Sequence, residues 1–196
     1  MKVDIYDFDK TIIPFDSGSK FFLWCLLHYP YIIIYGPYAL YGIIRYCIIR
    51  NNFTKMKKYV FGFIRIIPLE NAVVGFWNKY EKKVFPWFIN RSRENKTVVI
   101  SASPDFLLEE MAQRLGFDCL ICTKHNRKTG EVIGQNCRCD EKVRRFRELF
   151  PDAEVFNVYS DSIAHDKYIF SLGRRCFHIE KDGAQTEFNY SEMYKE

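Results

Sequence analysis

Val3-Asp4-Ile5-Tyr6-Asp7-Phe8-Asp9-Lys10-Thr11 opens the chain with an apolar, β-type run that ends in two carboxylates two residues apart, with a threonine behind them. In an open α/β sheet, ligands bind just outside the carboxyl ends of the strands. Two acids placed there are costly unless chemistry uses them. One can attack or bind a metal while the other moves a proton. Successive strand residues point apart, so joint work by Asp7 and Asp9 requires the chain to turn after Asp7, and Thr11 is placed to tie that turn together.

Beyond this stretch the chain divides by composition. Residues 96–178 alternate strand and helix patterns: strands at 96–100, 119–122, 154–159 and 174–179, helices at 104–115, 140–150 and 162–171. Gly116 closes the first of these helices, Asp140 is placed to cap the second, and Pro151 follows its end. The polar stretch 124–134 carries Thr129-Gly130 and reads as a hairpin or loop, and residues 185–196 read as a loose polar tail. Such alternation predicts an α/β fold with a mostly parallel, Rossmann-like sheet.

Residues 15–94 lack that alternation and read as an all-helical cap, leaving 1–14 and 95–196 as the catalytic core. Residues 21–44 carry no formal charge and are crowded with Tyr, Ile, Leu and Phe, interrupted by Pro30, Gly36, Pro37 and Gly42. Three readings stand: short helices broken near Pro30 and Pro37 and packed into the cap, an interfacial or re-entrant hairpin, or a spanning helix. Further helices are expected over 52–67 and 70–88, separated by Pro68. Between residues 17 and 69 there is no Asp or Glu, while Lys20, Arg45, Arg50, Lys55, Lys57, Lys58 and Arg65 all lie there. Such a segment attracts anionic substrates or an anionic membrane surface. No interleaved basic motif argues for nucleic acid.

The length of 196 residues suits one domain with an insertion, and the net charge is a modest +5. Seven cysteines and a charged start without a secretory pattern point to reduced thiols and a cytoplasmic chain, peripheral to the inner membrane face if the apolar run meets lipid. Cys119-x-x-Cys122 with Cys137-x-Cys139 has the look of a zinc site, but residues three apart on a strand point to opposite faces, which disfavours it.

Four places supply a constellation suited to phosphate chemistry. Asp7 is the candidate nucleophile, and Asp9 the candidate acid and base. Ser101 and the backbone at Ala102 stand where a strand gives way to a helix, with Pro104 in its first turn, a ready anion site. Lys142 would neutralise phosphate charge and hold Asp7 ionised. Asp161 and Asp166 follow another strand. With Asp7, Asp161 supplies an all-oxygen site suited to Mg²⁺, and Asp166 either joins the metal through water or orients Lys142. His165 is read as a neighbour, since imidazole suits such a site poorly.

Taken in order, Asp7-x-Asp9-x-Thr11, Ser101, Lys142 and Ser160-Asp161 with Asp166 resemble the four motifs of the haloacid dehalogenase (HAD) superfamily. The helical insertion between the first two motifs, and Asn136-Cys137 ahead of Lys142, resemble the phosphoserine phosphatase-like branch. The resemblance implies an Mg²⁺-dependent phosphatase working through an aspartyl-phosphate. It implies metal held by the Asp7 carboxylate, the Asp9 backbone carbonyl and the last acids, and phosphate held by the Ser101 region and Lys142. The last motif departs from the common pattern, with Ser160 before Asp161 and four residues between Asp161 and Asp166. Asp16 lies where phosphoserine phosphatases carry a glutamate that meets the substrate's ammonium. It serves as a specificity residue or caps the helix at Ser17. The acid-free, apolar cap suggests an anionic substrate with an apolar part, such as the lipid phosphate phosphatidylglycerophosphate. The alternatives are a small soluble phosphate ester, and a membrane-associated binding protein with a vestigial site. The acceptor of the phosphoryl group, water or another, stays open.

Overall fold

The computed structural model describes residues 1–49 and 53–194. Its strands β1 (Lys2–Tyr6), β2 (Lys96–Pro104), β3 (Cys119–Thr123), β4 (Glu154–Ser160), β5 (Arg175–Ile179) and β6 (Gln185–Phe188) form one sheet in the order β3-β2-β1-β4-β5-β6. All neighbours pair in parallel except β5 and β6. The chain moves outward from β1 through β2 to β3, then returns to the other side of β1 with β4. That reversal is the switch point at which α/β sheets open a crevice beyond their strand ends.

Before β2 the chain forms α1 (Ser17–His28), α2 (Gly36–Ile49), α3 (Phe53–Val60), α4 (Leu69–Tyr80) and α5 (Pro86–Ile89), with 3₁₀ turns at Pro30–Tyr35, Gly62–Ile66 and Glu81–Lys83. After β2 come α6 (Asp105–Leu115), α7 (Asp140–Leu149), α8 (Lys167–Phe170) and α9 (Tyr190–Met193). Alternation along β1 directs Val3 and Ile5 to one face, where they pack with Val98, Ile100, Val158, Phe146 and Phe170. Tyr6 joins the opposite face, where Phe106, Leu107 and Met111 meet Phe21, Trp24, Phe63, Phe76 and Trp77 of the insertion in one continuous core. The Trp77 indole N–H donates to the Leu107 carbonyl at 2.7 Å, stitching α4 to α6. On that same face Tyr6, Tyr159 and Phe177 stack across three neighbouring strands at 4.8 Å steps.

Several sequence expectations are corrected. β2 continues to Pro104, so Ser101 lies within the strand end, the helix begins at Asp105, and Pro104 occupies its N-cap position. Cys139, at φ 53°, caps α7, and Asp140 is that helix's first residue. The helix expected over 162–171 is confined to Lys167–Phe170. The expected helix over 70–88 divides into α4, a 3₁₀ turn and α5. That over 52–67 divides into α3 and a 3₁₀ turn, with Asn52, like Arg50, outside the described residues. The break near Pro30 holds, but at Pro37 a helix begins rather than ends, since a first-turn proline leaves no needed donor unmade. Only the first part of the apolar run is packed: Phe21, Trp24 and Cys25 are buried, whereas between Pro30 and Ile48 only Ile32, Ala39 and Gly42 are.

The expected loose tail instead holds β6 and α9. Asp182-Gly183 is a hairpin signal, and Gly183 takes φ 88°, folding β6 back antiparallel on β5. The expected hairpin within 124–134 is present, bridged between His125 and Val132.

His125 is buried against Phe61 and Phe106, and its Nε2 has no partner among the described residues. Burial lowers its pKa from 6.5 to about 4, so the folded protein refuses a proton that the unfolded chain accepts. Stability is therefore full above pH 6.5 and falls as pH drops toward 4. Between pH 7 and pH 5 the expected loss from this group is about 2 kcal/mol. Urea unfolding of wild type and His125→Leu at both pH values checks this: the variant should lose correspondingly less, and equal losses would contradict it.

Candidate active site

The site begins where β1 stops. The Asp7 N–H donates to the Tyr159 carbonyl at 2.9 Å, holding Asp7 beside the end of β4. The chain then turns as the sequence required: the Ile12 N–H donates to the Phe8 carbonyl at 2.9 Å, and Lys10 adopts φ 58°. The Thr11 hydroxyl accepts the Asp161 N–H at 2.9 Å, so the threonine ties this turn to the loop after β4. Through the turn, the Asp9 carboxylate reaches another set of partners, accepting the Ser17 N–H at 2.8 Å and the Ser103 hydroxyl. Burial, reinforced by the charge of Asp16 and opposed by these donors, pushes the Asp9 pKa up to about 6.

Lys142, on α7, is buried with its ammonium 2.7 Å from both Asp7 Oδ1 and Asp166 Oδ1. The other Asp166 oxygen accepts the Ser160 hydroxyl at 2.6 Å. Burial opposes the lysine charge, but the two carboxylates outweigh it and hold Lys142 above the usual lysine range. Burial raises the Asp7 pKa while Lys142 pulls it down, and Asp166 and Asp9 push it further up. Both Asp166 oxygens are thus engaged, one by Lys142 and the other by Ser160.

Ser101 and Asp161 stand at the ends of β2 and β4, so the expected residues converge on one end of the sheet. Ser101 Oγ accepts the Ser103 N–H at 3.1 Å, shaping the backbone around Ala102. Burial, then the neighbouring Asp166, raises the Asp161 pKa, against Lys10 and Lys142. Asp16 is the N-cap of α1, accepting the Ser19 N–H at 2.7 Å, and also lines the cavity beside Asp9. His165 is exposed, its N–H bonded to Ser162. Cys119 and Cys122 lie on β3, and all seven cysteines are free. Among the described residues, no three or more His, Cys, Asp or Glu side chains group in a metal-binding arrangement.

Lys57 was not expected at the site. It reaches from α3 to the Ala102 carbonyl and, at 2.6 Å, to Asn136 Oδ1, which also accepts the Thr123 hydroxyl at 2.8 Å. Burial lowers its pKa to about 8, although Asp9 and Asp16 favour its charge. Ser17 and Ser103, bonded to each other at 3.0 Å, are likewise additions. A cavity of about 580 Å³ rises from Asp9, Ser103 and Lys57, and its upper wall is built from Phe22, Leu23, Ile43, Met56, Val60 and Phe61.

Truncating one partner of a buried ion pair strands the other charge. Lys142→Ala should therefore cost about 3–5 kcal/mol in urea unfolding without added metal. A cost below about 1 kcal/mol would place Lys142 among solvated surface pairs and contradict this geometry.

The family model for haloacid dehalogenase-like hydrolases matches residues 5–167. Protein CicA of Caulobacter vibrioides is 30% identical over 179 residues, covering 80% of this chain and 77% of that protein. Among solved structures, a Bordetella pertussis Tohama I protein of unknown function superposes with TM-score 0.67 at 19% identity, covering 83% of this chain and 82% of its own. A phosphoserine phosphohydrolase-like protein from Francisella tularensis superposes with TM-score 0.62 at 16% identity, covering 93% and 88%. The chain belongs to the haloacid dehalogenase-like hydrolases and has the α/β fold of their phosphoserine phosphatase-like members.

Proposed function

We propose that this hydrolase releases phosphate from a phosphomonoester through an aspartyl-phosphate on Asp7, with Mg²⁺ as cofactor. The donor chemistry fits such a cation: Asp7 and Asp161 are carboxylates whose pKa values burial raises, so a nearby hard cation would relieve an excess of buried acid. The Asp7 carboxylate, the Asp9 backbone carbonyl and the Asp161 carboxylate would hold it. When bound, Mg²⁺ neutralises phosphoryl oxygens as charge develops. Lys142 balances the charge on Asp7 and orients it toward phosphorus. Asp7 attacks phosphorus, the bond to the ester oxygen breaks, and Asp9 gives that oxygen its proton. Asp9 then takes a proton from water as the water attacks phosphorus, which frees phosphate and restores Asp7. A carboxyl near pKa 6 is suited to donating and then accepting. Backbone N–H groups around Ala102, together with Ser101, bind the phosphoryl oxygens.

We further propose a lipid phosphate as substrate, of which phosphatidylglycerophosphate is one example, taken up at the cytoplasmic face of an anionic membrane. The observation that carries this is the cavity: a polar floor at Asp9, Ser103 and Lys57 under apolar walls. Asp16 lines the same cavity, and its cap bond to the Ser19 N–H engages one of its two carboxylate oxygens.

Mg²⁺-dependent phosphate release from an aryl phosphate tests the chemistry. Asp7→Asn should abolish it without unfolding the protein, and Asp9→Asn should slow alkyl phosphates more than aryl phosphates. Near-normal turnover by Asp7→Asn would remove it as nucleophile, and equal slowing by Asp9→Asn would remove the acid role. A panel of phosphatidylglycerophosphate micelles, phosphoserine and sugar phosphates tests the substrate, with the lipid expected to be preferred. Preference for a soluble ester would overturn the lipid assignment, and no turnover of any would favour a binding protein with a vestigial site.

A further inference from the structure

We infer that the outer face of α2, with the 3₁₀ turn Pro30–Tyr35 and the last turn of α1, is a docking surface for an anionic bilayer, and that the active-site cavity opens onto it. This deepens the lipid-phosphate reading and rests on it for the substrate, whereas docking itself requires no turnover.

The first observation is an inverted helix. On a water-facing helix the apolar stripe points inward and polar residues point out. On α2 the residues that face inward are small: Ala39 and Gly42 are buried. A Cβ at Gly42 would come within 2.3 Å of Tyr59 on α3, so this side is pressed against the protein. The large apolar side chains point out. Leu27, Ile33, Ile34 and Ile48 are 77%, 67%, 68% and 76% exposed, with Leu40 and Ile44 among them. A contiguous apolar surface of this kind marks a contact with another phase or partner.

Charge selects the occupant. The segment from 17 to 69 holds no acid, and Arg45, Lys55 and Arg65 are exposed on it. Arg45 donates to the Tyr41 hydroxyl at 2.8 Å, and Tyr31, Tyr38 and Tyr41 stand exposed around the apolar residues. Tyrosines and basic residues flanking an apolar face suit the headgroup layer of an anionic membrane. A second copy of the chain would instead bring two acid-free basic segments together.

Position links the face to the site. Leu23 and Ile43 both line the cavity and stand exposed, so the cavity's apolar wall is continuous with the outer face. Pro30–Ile48 is long and apolar enough to cross a membrane by length and composition. However, α2 lies against α3, and Lys57 of α3 reaches the cavity floor. That connection keeps the face along the membrane plane. A lipid phosphate then enters sideways between Leu23 and Ile43, its headgroup toward Asp9 and its chains left in the bilayer.

The experiment is flotation of the full-length protein with phosphatidylcholine vesicles, with and without phosphatidylglycerol, at low and high salt. Wild type is compared with Ile33→Asp/Ile34→Asp and with Leu27→Asp, and aryl phosphate turnover is read in parallel. Expected are salt-sensitive binding to the anionic vesicles, a roughly tenfold or greater loss in the double variant, a smaller loss in Leu27→Asp, and unchanged aryl phosphate turnover in both. Failure of wild type to bind anionic vesicles at low salt would overturn the proposal. So would equal binding by both variants, or a dimer that the double variant disperses without any vesicle binding. Vesicle binding by a wild type that turns over no aryl phosphate would uphold the docking surface and overturn the hydrolase reading.

Discussion

The site depends on one buried cation between two carboxylates. Lys142 projects from α7 and meets Asp7 after β1 and Asp166 before α8, each at 2.7 Å. No one element could hold this arrangement. It exists because the sheet order places β1 beside both β2 and β4, so the ends of these strands deliver Asp7, Ser101 and Asp161 to one crevice. Desolvating three charges is unfavourable unless each finds a partner. The ammonium meets both carboxylates, and Ser160 takes the remaining Asp166 oxygen. Asp7 is thus fixed beside a cation through one oxygen, although burial outweighs Lys142 and leaves its pKa above the usual carboxylate range rather than holding it fully ionised.

The insertion is built into that crevice rather than set above it. Its aromatic residues share one core with α6 and the face of the sheet that carries Tyr6. Two of its groups reach the floor: the Ser17 N–H on Asp9, and the Lys57 ammonium on the Ala102 carbonyl and Asn136. Between α1 and α3, which position these groups, α2 turns apolar side chains outward. One packing arrangement therefore relates the floor to the surface proposed for docking.

The core was legible because its signals are local. A strand pattern followed by acids, a hydroxyl at a strand end and alternating helices predicted the sheet and the convergence of Asp7, Asp9, Ser101, Lys142 and Asp161. What escaped depended on long-range packing. Lys57 was visible only as one of seven basic residues in an acid-free stretch, and its approach to Asn136 depends on how α3 packs. Ser17 and Ser103 meet across 86 positions of sequence. Of the readings open for residues 21–44, packing holds for Phe21, Trp24, Cys25 and Ile32 but not along α2, because hydropathy reports how apolar a helix is, not which side is covered; small residues at Ala39 and Gly42 let α2 dock through its narrow face. The tail strand β6 was signalled by Asp182-Gly183 and masked by its polar composition, which suits an edge strand.

The proposed chemistry requires above all that the Asp7 carboxylate become covalently phosphorylated. The most direct measurement is acid quench of the protein during Mg²⁺-dependent turnover of an aryl phosphate, followed by mass spectrometry of the peptide that contains Asp7. The expected result is a phosphoryl adduct on Asp7 that appears before steady state and decays when substrate is exhausted. Sustained turnover with that peptide unmodified at every quench time, and the adduct found on another side chain, would contradict it.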